Sequence, residues 1–249
     1  MVNETTTLDE NTRRYYLKAM GIQCWQLLDV QHEVENQSDV LIGGDSDYKD
    51  SDYKNNDYKD NSKDVAITDY SQIENAIQQC TKCSLHKTRK QTVHKQAAGC
   101  GNQSADLMLV MLSPPSVDEA NTLLSKMLAA INININDIYL SSLLKCSVPE
   151  NYVVAEKEIQ ACNDFLVQQI KFIQPKIIVV LGEEAACWLL QKNLSMDDFR
   201  AANNEIKHQI TSVPVFISYS PEELLQQAEN KRKAWSDLQQ LQKSLNSKM

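Results

Sequence analysis

Apolar residues fall along this chain in two rhythms that alternate. Four short runs are apolar at nearly every position: Leu107-Met108-Leu109-Val110-Met111-Leu112, Ile138-Tyr139-Leu140 with Leu143-Leu144, Lys176-Ile177-Ile178-Val179-Val180-Leu181-Gly182, and Val213-Pro214-Val215-Phe216-Ile217-Ser218. Runs this short and continuous predict strands covered on both faces, because a strand with one wet side would alternate. Between them the apolar positions recur at helical spacing, over 71–79, 118–131 (Leu123, Leu124, Met127, Leu128, Ile131), 155–173 and 183–190. Asp118 is placed to cap the second of these, and Pro221 opens a last helix that runs to about Leu245. Strands alternating with helices need a parallel sheet with helices on both sides. The expected fold is an α/β domain over residues 69–249, a three-layer α/β/α sandwich around a central, mostly parallel sheet.

The chain before residue 69 follows neither rhythm for long. Residues 8–28 read as a short amphipathic helix through Met20, with Gly21 as its expected C-cap and then the apolar Ile22, Trp25, Leu27 and Leu28. One helix cannot bury its own apolar face, so this segment must dock on its own domain or on a partner. Residues 29–68 are polar and acidic, and they repeat Asp-Tyr-Lys at 47, 52 and 57, a period that matches neither helix nor strand. They read as a disordered linker.

Charge sharpens this division. The 249 residues carry 25 Lys and Arg against 33 Asp and Glu, a net charge of -8. Residues 29–64 alone hold eleven acids and four bases, so the remainder is close to neutral, and residues 230–249 set five bases against the single acid Asp237. That balance argues against a surface built wholly as a nucleic-acid clamp. No apolar run approaches the roughly 18 residues of a membrane span, and the N-terminus has no basic-then-apolar signal pattern. The expectation is a cytoplasmic protein.

Seven cysteines stand at 24, 80, 83, 100, 146, 162 and 187. An odd count without a secretion signal argues against a disulfide framework. Cys80-Thr81-Lys82-Cys83 is compatible with a zinc half-site, a redox pair or chance, although a thioredoxin-type pair follows a strand and this one follows a helix. Cys146 comes just after the second predicted strand, and Cys162 shares a helix face with Ile159 and Leu166. No second C-x-x-C supports a zinc ribbon, and Cys24, Cys100 and Cys187 have no partner at a useful spacing. Residue types alone also allow all seven to be ordinary thiols. The four histidines, His32, His86, His94 and His208, read as surface residues.

Several separate stretches carry a resemblance. Cys80-Thr81-Lys82-Cys83-Ser84-Leu85, Leu143-Leu144-Lys145-Cys146, Glu158-Ile159-Gln160-Ala161-Cys162 and Gln174-Pro175-Lys176-Ile177-Ile178-Val179-Val180-Leu181-Gly182-Glu183-Glu184-Ala185 resemble the iron–sulfur uracil-DNA glycosylases of the family-4 type. The resemblance implies that Cys80, Cys83, Cys146 and Cys162 hold a 4Fe–4S cluster, and that the domain has the uracil-DNA glycosylase fold. It also shows what is missing. The family's Gly-Glu-Ala-Pro-Gly motif is here Met111-Leu112-Ser113-Pro114-Pro115, with Leu112 at the carboxylate position. Ser142 stands where the family has an Asn shortly before Lys-Cys, and Ser220-Pro221 stands for its His-Pro. A leucine cannot hold a proton or position water, and a serine cannot become a cation. The three positions together read as a degenerate pocket with no catalytic activity of its own.

The N-terminal stretch carries a second resemblance. Arg13-Arg14-Tyr15-Tyr16-Leu17-Lys18-Ala19-Met20-Gly21-Ile22-Gln23-Cys24-Trp25 is similar to the tail of the bacterial DNA polymerase III psi subunit. This implies that Arg13, Arg14, Tyr16, Leu17, Met20, Ile22 and Trp25 contact the clamp loader. It further implies that the domain binds the chi subunit and, through chi, single-stranded-DNA-binding protein. The reading from the sequence is therefore a non-catalytic replisome subunit of the psi kind. Its alternative is a DNA-repair hydrolase of the uracil-DNA glycosylase kind with a divergent active site.

Overall fold

A computed structural model of the chain describes residues 69–91, 99–114, 118–149, 152–203, 206–209 and 211–246. The predicted N-terminal helix and the acidic linker lie outside the described residues. The order of elements begins with helix α1 (Tyr70–Gln79), a 3-10 segment Ser84–Gln91, strands β1 (Cys100–Gly101) and β2 (Leu107–Met111), and helix α2 (Asp118–Ala129). It continues with β3 (Tyr139–Ser142), α3 (Glu156–Ile173), β4 (Ile177–Leu181), α4 (Glu183–Leu190) and α5 (Met196–Ala201). The last elements are β5 (Val215–Ser218), α6 (Pro221–Gln226) and α7 (Lys231–Asn246).

The five strands lie in the order β1-β3-β2-β4-β5, all parallel except β1. In the middle of the sheet Leu109 faces Leu140 on one side and Val179 on the other, and Val179 faces Phe216. Every residue of β2 and of β4 is buried. That is why both read as unbroken apolar runs: helices cover each face, α1 packing on α3 and α2 meeting α6 and α7. A fully buried side chain such as Ile178 contributes about 1.5–3 kcal/mol relative to an exposed one. The chain leaves β2 toward β3 and leaves β4 toward β5, in opposite directions from two neighbouring strands. The crevice at their carboxyl ends is where an open α/β sheet places its ligand site.

Specific residues shape the outer strands of the sheet. At the β1 edge, Gly101 has φ +117°, and a Cβ there would sit 2.1 Å from the Ile138 carbonyl oxygen. Only glycine allows that approach. At the β5 edge, the buried Asn203 side chain donates to the Ile217 carbonyl at 2.9 Å and accepts from the Ile217 N–H at 2.7 Å. The amide takes the place of a further strand and leaves no open pair of groups there.

The four long-range strands and the helices at 71–79, 118–131, 155–173 and 183–190 match the observed elements to within one to three residues. Four features differ. The short antiparallel strand β1 has no counterpart in the expectation. The helix expected from Pro221 to about Leu245 is broken at Gln227 (φ -124°, ψ 82°), where a 3-10 turn Ala228–Asn230 intervenes. Asn230 secures the bend by donating from its side chain to Gln227 Oε1 at 2.9 Å. Helix α5 has no counterpart in the expectation, although Ser195 caps it by accepting from the Asp198 N–H. His208, expected at the surface, is 4% exposed. Among the described residues no helix is long and apolar enough to cross a membrane.

The burial of His208 has a consequence for pH. Its Nδ1 pairs with Thr211 Oγ1 at 2.9 Å, and burial pushes its pKa from 6.5 down to about 4. A ring that stays neutral in the fold but takes a proton when unfolded stabilises the fold fully above pH 6.5. This stability is lost as pH falls from 6.5 toward 4, at up to about 1.4 kcal/mol per unit. The stability difference between wild type and His208→Gln, measured by urea unfolding, should therefore shrink from pH 7 to pH 5. A difference that does not vary with pH would show that His208 does not titrate in this way.

Candidate functional site

Two places concentrate chemistry, one on the α1–α3 side of the sheet and one at the carboxyl ends of its strands. The first gathers the cysteines. Cys80 is the residue that ends α1, its N–H bonding the Ile77 carbonyl, and Cys83 leads into the 3-10 segment. Cys146 follows β3, and Cys162 lies within α3. Local contacts pull these segments together. Ser84 donates to Glu158 Oε1 at 3.1 Å, Tyr152 also donates to that carboxylate, and Thr88 donates to the Ser147 carbonyl at 2.6 Å. Lys82 reaches Asp164 at 3.8 Å and lies over the Phe165 ring.

Cys146 and Cys162 are buried, Cys80 and Cys83 half-buried, and none of the four is paired in a disulfide. Burial pushes the Cys162 thiol up to about 11, and the neighbouring Cys83 and Cys146 sulfurs add to that shift. Three of the four thiols are thus electrostatic neighbours, and soft thiolates are the donor set that iron–sulfur chemistry requires. The residues fit such a centre in kind. Among the described residues, however, no group of three or more His, Cys, Asp or Glu is already drawn together as a bound metal ion would hold it. His86 takes no part as a ligand here, its Nδ1 lying 2.7 Å from the Cys83 carbonyl oxygen.

Beside these thiols runs a buried polar chain that sequence reasoning did not find. Lys145, 1% exposed, contacts Ser141 Oγ at 2.9 Å, the Ser142 carbonyl at 2.5 Å and Gln169 Oε1 at 2.7 Å. Ser141 donates to the same Gln169 oxygen at 2.7 Å, and Gln169 Nε2 donates to Tyr70 Oη at 2.9 Å. Tyr70 in turn meets the hydroxyl of Tyr139. Burial pushes Lys145 down to about 7, and burial also raises the Tyr70 hydroxyl. The Lys-Cys dipeptide was the only signal in the sequence.

The second place holds the three positions expected to be degenerate. Each has a structural task. Leu112 packs against the core and its carbonyl accepts from the Leu144 N–H at 2.9 Å. Ser142, buried, donates to the Leu144 carbonyl at 2.6 Å. Ser220 caps α6 in a capping box, accepting from the Glu223 N–H while Glu223 accepts from the Ser220 N–H. Glu223 also accepts from the Glu183 N–H at 3.2 Å, so the starts of α4 and α6 share one carboxylate. Gly182 fits between them, its missing Cβ 3.4 Å from Ser220 Cβ.

The first turn of α6 carries a second carboxyl. Glu222 is half-buried, and burial raises its pKa above the ordinary glutamate value, against an opposing hydrogen bond with Ser220. It stands two residues past the position where the His of the resembled family was expected. Beneath it, Arg200 of α5 binds Asp237 of α7 at 2.9 and 2.8 Å, and Ser218 at the end of β5 donates to the same carboxylate at 2.8 Å. Arg200 also lies 5.6 Å from the centre of the Tyr219 ring. An ion pair therefore ties α5 and α7 to the end of β5, and the first turn of the helix that follows bears a carboxyl with raised proton affinity.

Comparison with known proteins is consistent in direction. Residues 75–239 match the Uracil DNA glycosylase superfamily. A type-4 uracil-DNA glycosylase of Archaeoglobus fulgidus is 31% identical over 184 residues, covering 68% of this chain and 89% of its own length. One from Saccharolobus solfataricus is 28% identical over 190 residues, 71% of this chain and 86% of the relative. One from Thermotoga maritima is 30% identical over 138 residues, 51% of this chain and 70% of the relative. These findings overturn the replisome reading. The likeness to the psi subunit rested on one short stretch, whose residues Arg13, Arg14, Tyr16, Leu17, Met20, Ile22 and Trp25 lie outside the described residues. The glycosylase match spans the folded domain. The clamp-loader and chi partners fall with that reading. So does the expectation that the chain lacks activity, since the relatives that align across its domain are named as glycosylases.

Proposed function

The chain belongs to the uracil DNA glycosylase superfamily, and from that membership we propose that it is a DNA-repair hydrolase that cleaves the N-glycosidic bond of uracil in DNA through a divergent site. The observation that carries the reading is Glu222, a half-buried carboxyl in the first turn of α6, just past the carboxyl end of β5. Hydrolysis of this bond leaves positive charge on the sugar as the base departs, and it needs a proton acceptor for the attacking water. A carboxylate held in partial burial is a stronger base than one in water and a closer counter-charge to that sugar. Glu222 supplies both roles from α6, while Leu112, Ser142 and Ser220 hold the walls. Such chemistry requires the base to leave the stack, at a cost of a few kcal/mol that a closed site returns in contacts.

The proposal extends to the cysteines. Cys80, Cys83, Cys146 and Cys162 hold a 4Fe–4S cluster, which when bound cross-links the segment after α1, the loop after β3 and helix α3. Support comes from the thiolate donor set and from the electrostatic proximity of Cys83, Cys146 and Cys162. Anaerobically purified protein should be brown and contain about four irons per chain. Cys162→Ser should lose the iron, and Cys187→Ser should keep it. Colourless protein with stoichiometric zinc would replace the cluster with a structural zinc site.

A further inference from the structure

The buried ammonium of Lys145 has a hydrogen-bond pattern that identifies its charge. Its three neighbours all act as acceptors. Two are carbonyl oxygens, of Ser142 and of the Gln169 side chain, and the third is Ser141 Oγ, whose own proton goes to Gln169 Oε1. Three acceptors match the three N–H donors of the charged form of lysine. Gln169 is oriented by the same chain, because its amide nitrogen is committed to Tyr70.

A cation enclosed at 1% exposure is costly unless an anion lies near it. Among the described residues Lys145 has no carboxylate partner; every group it touches is neutral. The anionic groups nearest in kind are the thiolates. Cys146 is its chain neighbour, and the Lys145 backbone N–H bonds the Cys162 sulfur, which also feels the lysine charge. We propose that Lys145 is the fixed counter-cation of the four-cysteine centre, held in place by Ser141 and Gln169 so that its charge offsets the net negative charge of a thiolate-bound cluster. The inference rests on the cluster reading and deepens it. Four coordinating thiolates make the assembled centre an anion, and a buried positive charge beside it favours the more reduced, more negative state. The lysine is a positioning and charge-compensating residue, with no contact to DNA.

Two substitutions separate charge from structure. Lys145→Met removes the cation at nearly constant volume. Gln169→Glu keeps the lysine and adds a carboxylate within its reach, which strengthens the local packing but cancels the charge that the cluster feels. Each variant is purified anaerobically as the full chain beside wild type. Cluster midpoint potential is measured by film voltammetry, and iron loss to a chelator is followed by absorbance. Both variants should shift the potential to more negative values and release iron faster, by about 10- to 100-fold for Lys145→Met. If Gln169→Glu keeps the wild-type potential and release rate, the counter-cation role is overturned, whatever Lys145→Met does to folding. Wild type without iron would instead overturn the cluster reading itself, and this inference with it.

Discussion

Incubated with uracil-containing DNA, the full chain releases free uracil, and Glu222→Gln lowers the rate of release by about 10²–10⁴-fold, the usual contribution of a positioned acid or base. The substitution is nearly isosteric and Glu222 is half-buried, with hydrogen bonds only to its own backbone N–H and to Ser220 opposing its shift, so the fold should keep its stability. Release by wild type should also fall on the acid side at a pH above that of an ordinary glutamate. The reason is the sign of the shift: burial raises the carboxyl, and only its ionised form can take a proton from water. Strand cleavage at alkali-labile sites, or chromatography of the free base, measures both effects. Equal rates for Glu222→Gln and wild type would remove Glu222 from the site. No release above a no-enzyme control would remove the proposed reaction as well.

Asp237→Ala costs about 3–5 kcal/mol, the loss expected when one partner of a buried ion pair is removed and the other stays. Asp237 is 1% exposed and is bound by both Arg200 Nε and Ser218 Oγ. Burial pushes its carboxyl up, while Arg200 and Ser218 hold it ionised; the same contact raises Arg200. Without the carboxylate, a mostly buried guanidinium and a buried hydroxyl lose their acceptor together, and α5 is no longer pinned to α7 beneath β5. In a domain of this size that is a fall in Tm of about 10 °C. Asp197→Ala is the contrast. Asp197 meets Arg200 at 3.0 Å and Lys233 at 2.9 Å, but its side chain is 61% exposed, and exposed pairs contribute less than about 1 kcal/mol. If thermal unfolding gave the two variants equal losses, the buried pair would not pin α5 to α7 beneath β5.

Most of the sheet was legible in the sequence, and the reason is physical. Whether a segment becomes strand or helix depends on a periodicity contained within about ten residues. The runs at Leu107 and Ile177 therefore announced central strands, and Leu123, Leu124, Met127 and Leu128 announced a helix. The four cysteines of the proposed centre were singled out by a resemblance in the stretches that flank them, while their residue types and spacing left zinc, redox and ordinary-thiol readings open. What failed was inference from identity at single positions. Leu112, Ser142 and Ser220 were read as degenerate catalytic positions, and each has a structural task; what the relatives overturn is the step from those positions to a chain without activity.

Tertiary structure alone decided the polar interior. A lysine, a glutamine, an aspartate and a histidine normally face water, and no local pattern marks the ones that do not. Lys145 and Gln169 are buried because they find each other 24 residues apart, and Gln169 finds Tyr70 at a separation of 99. Asp237 is buried because Arg200 lies 37 residues away in the chain yet under the same strand end. Gln227 bends the last helix where an unbroken helical pattern gave no warning, because α6 must pack on α2 while α7 crosses to β5. Short-range periodicity thus determined which segments are strands and helices. Long-range pairing, which a linear pattern does not contain, determined which charges and hydroxyls are enclosed, and so where the chemistry can occur.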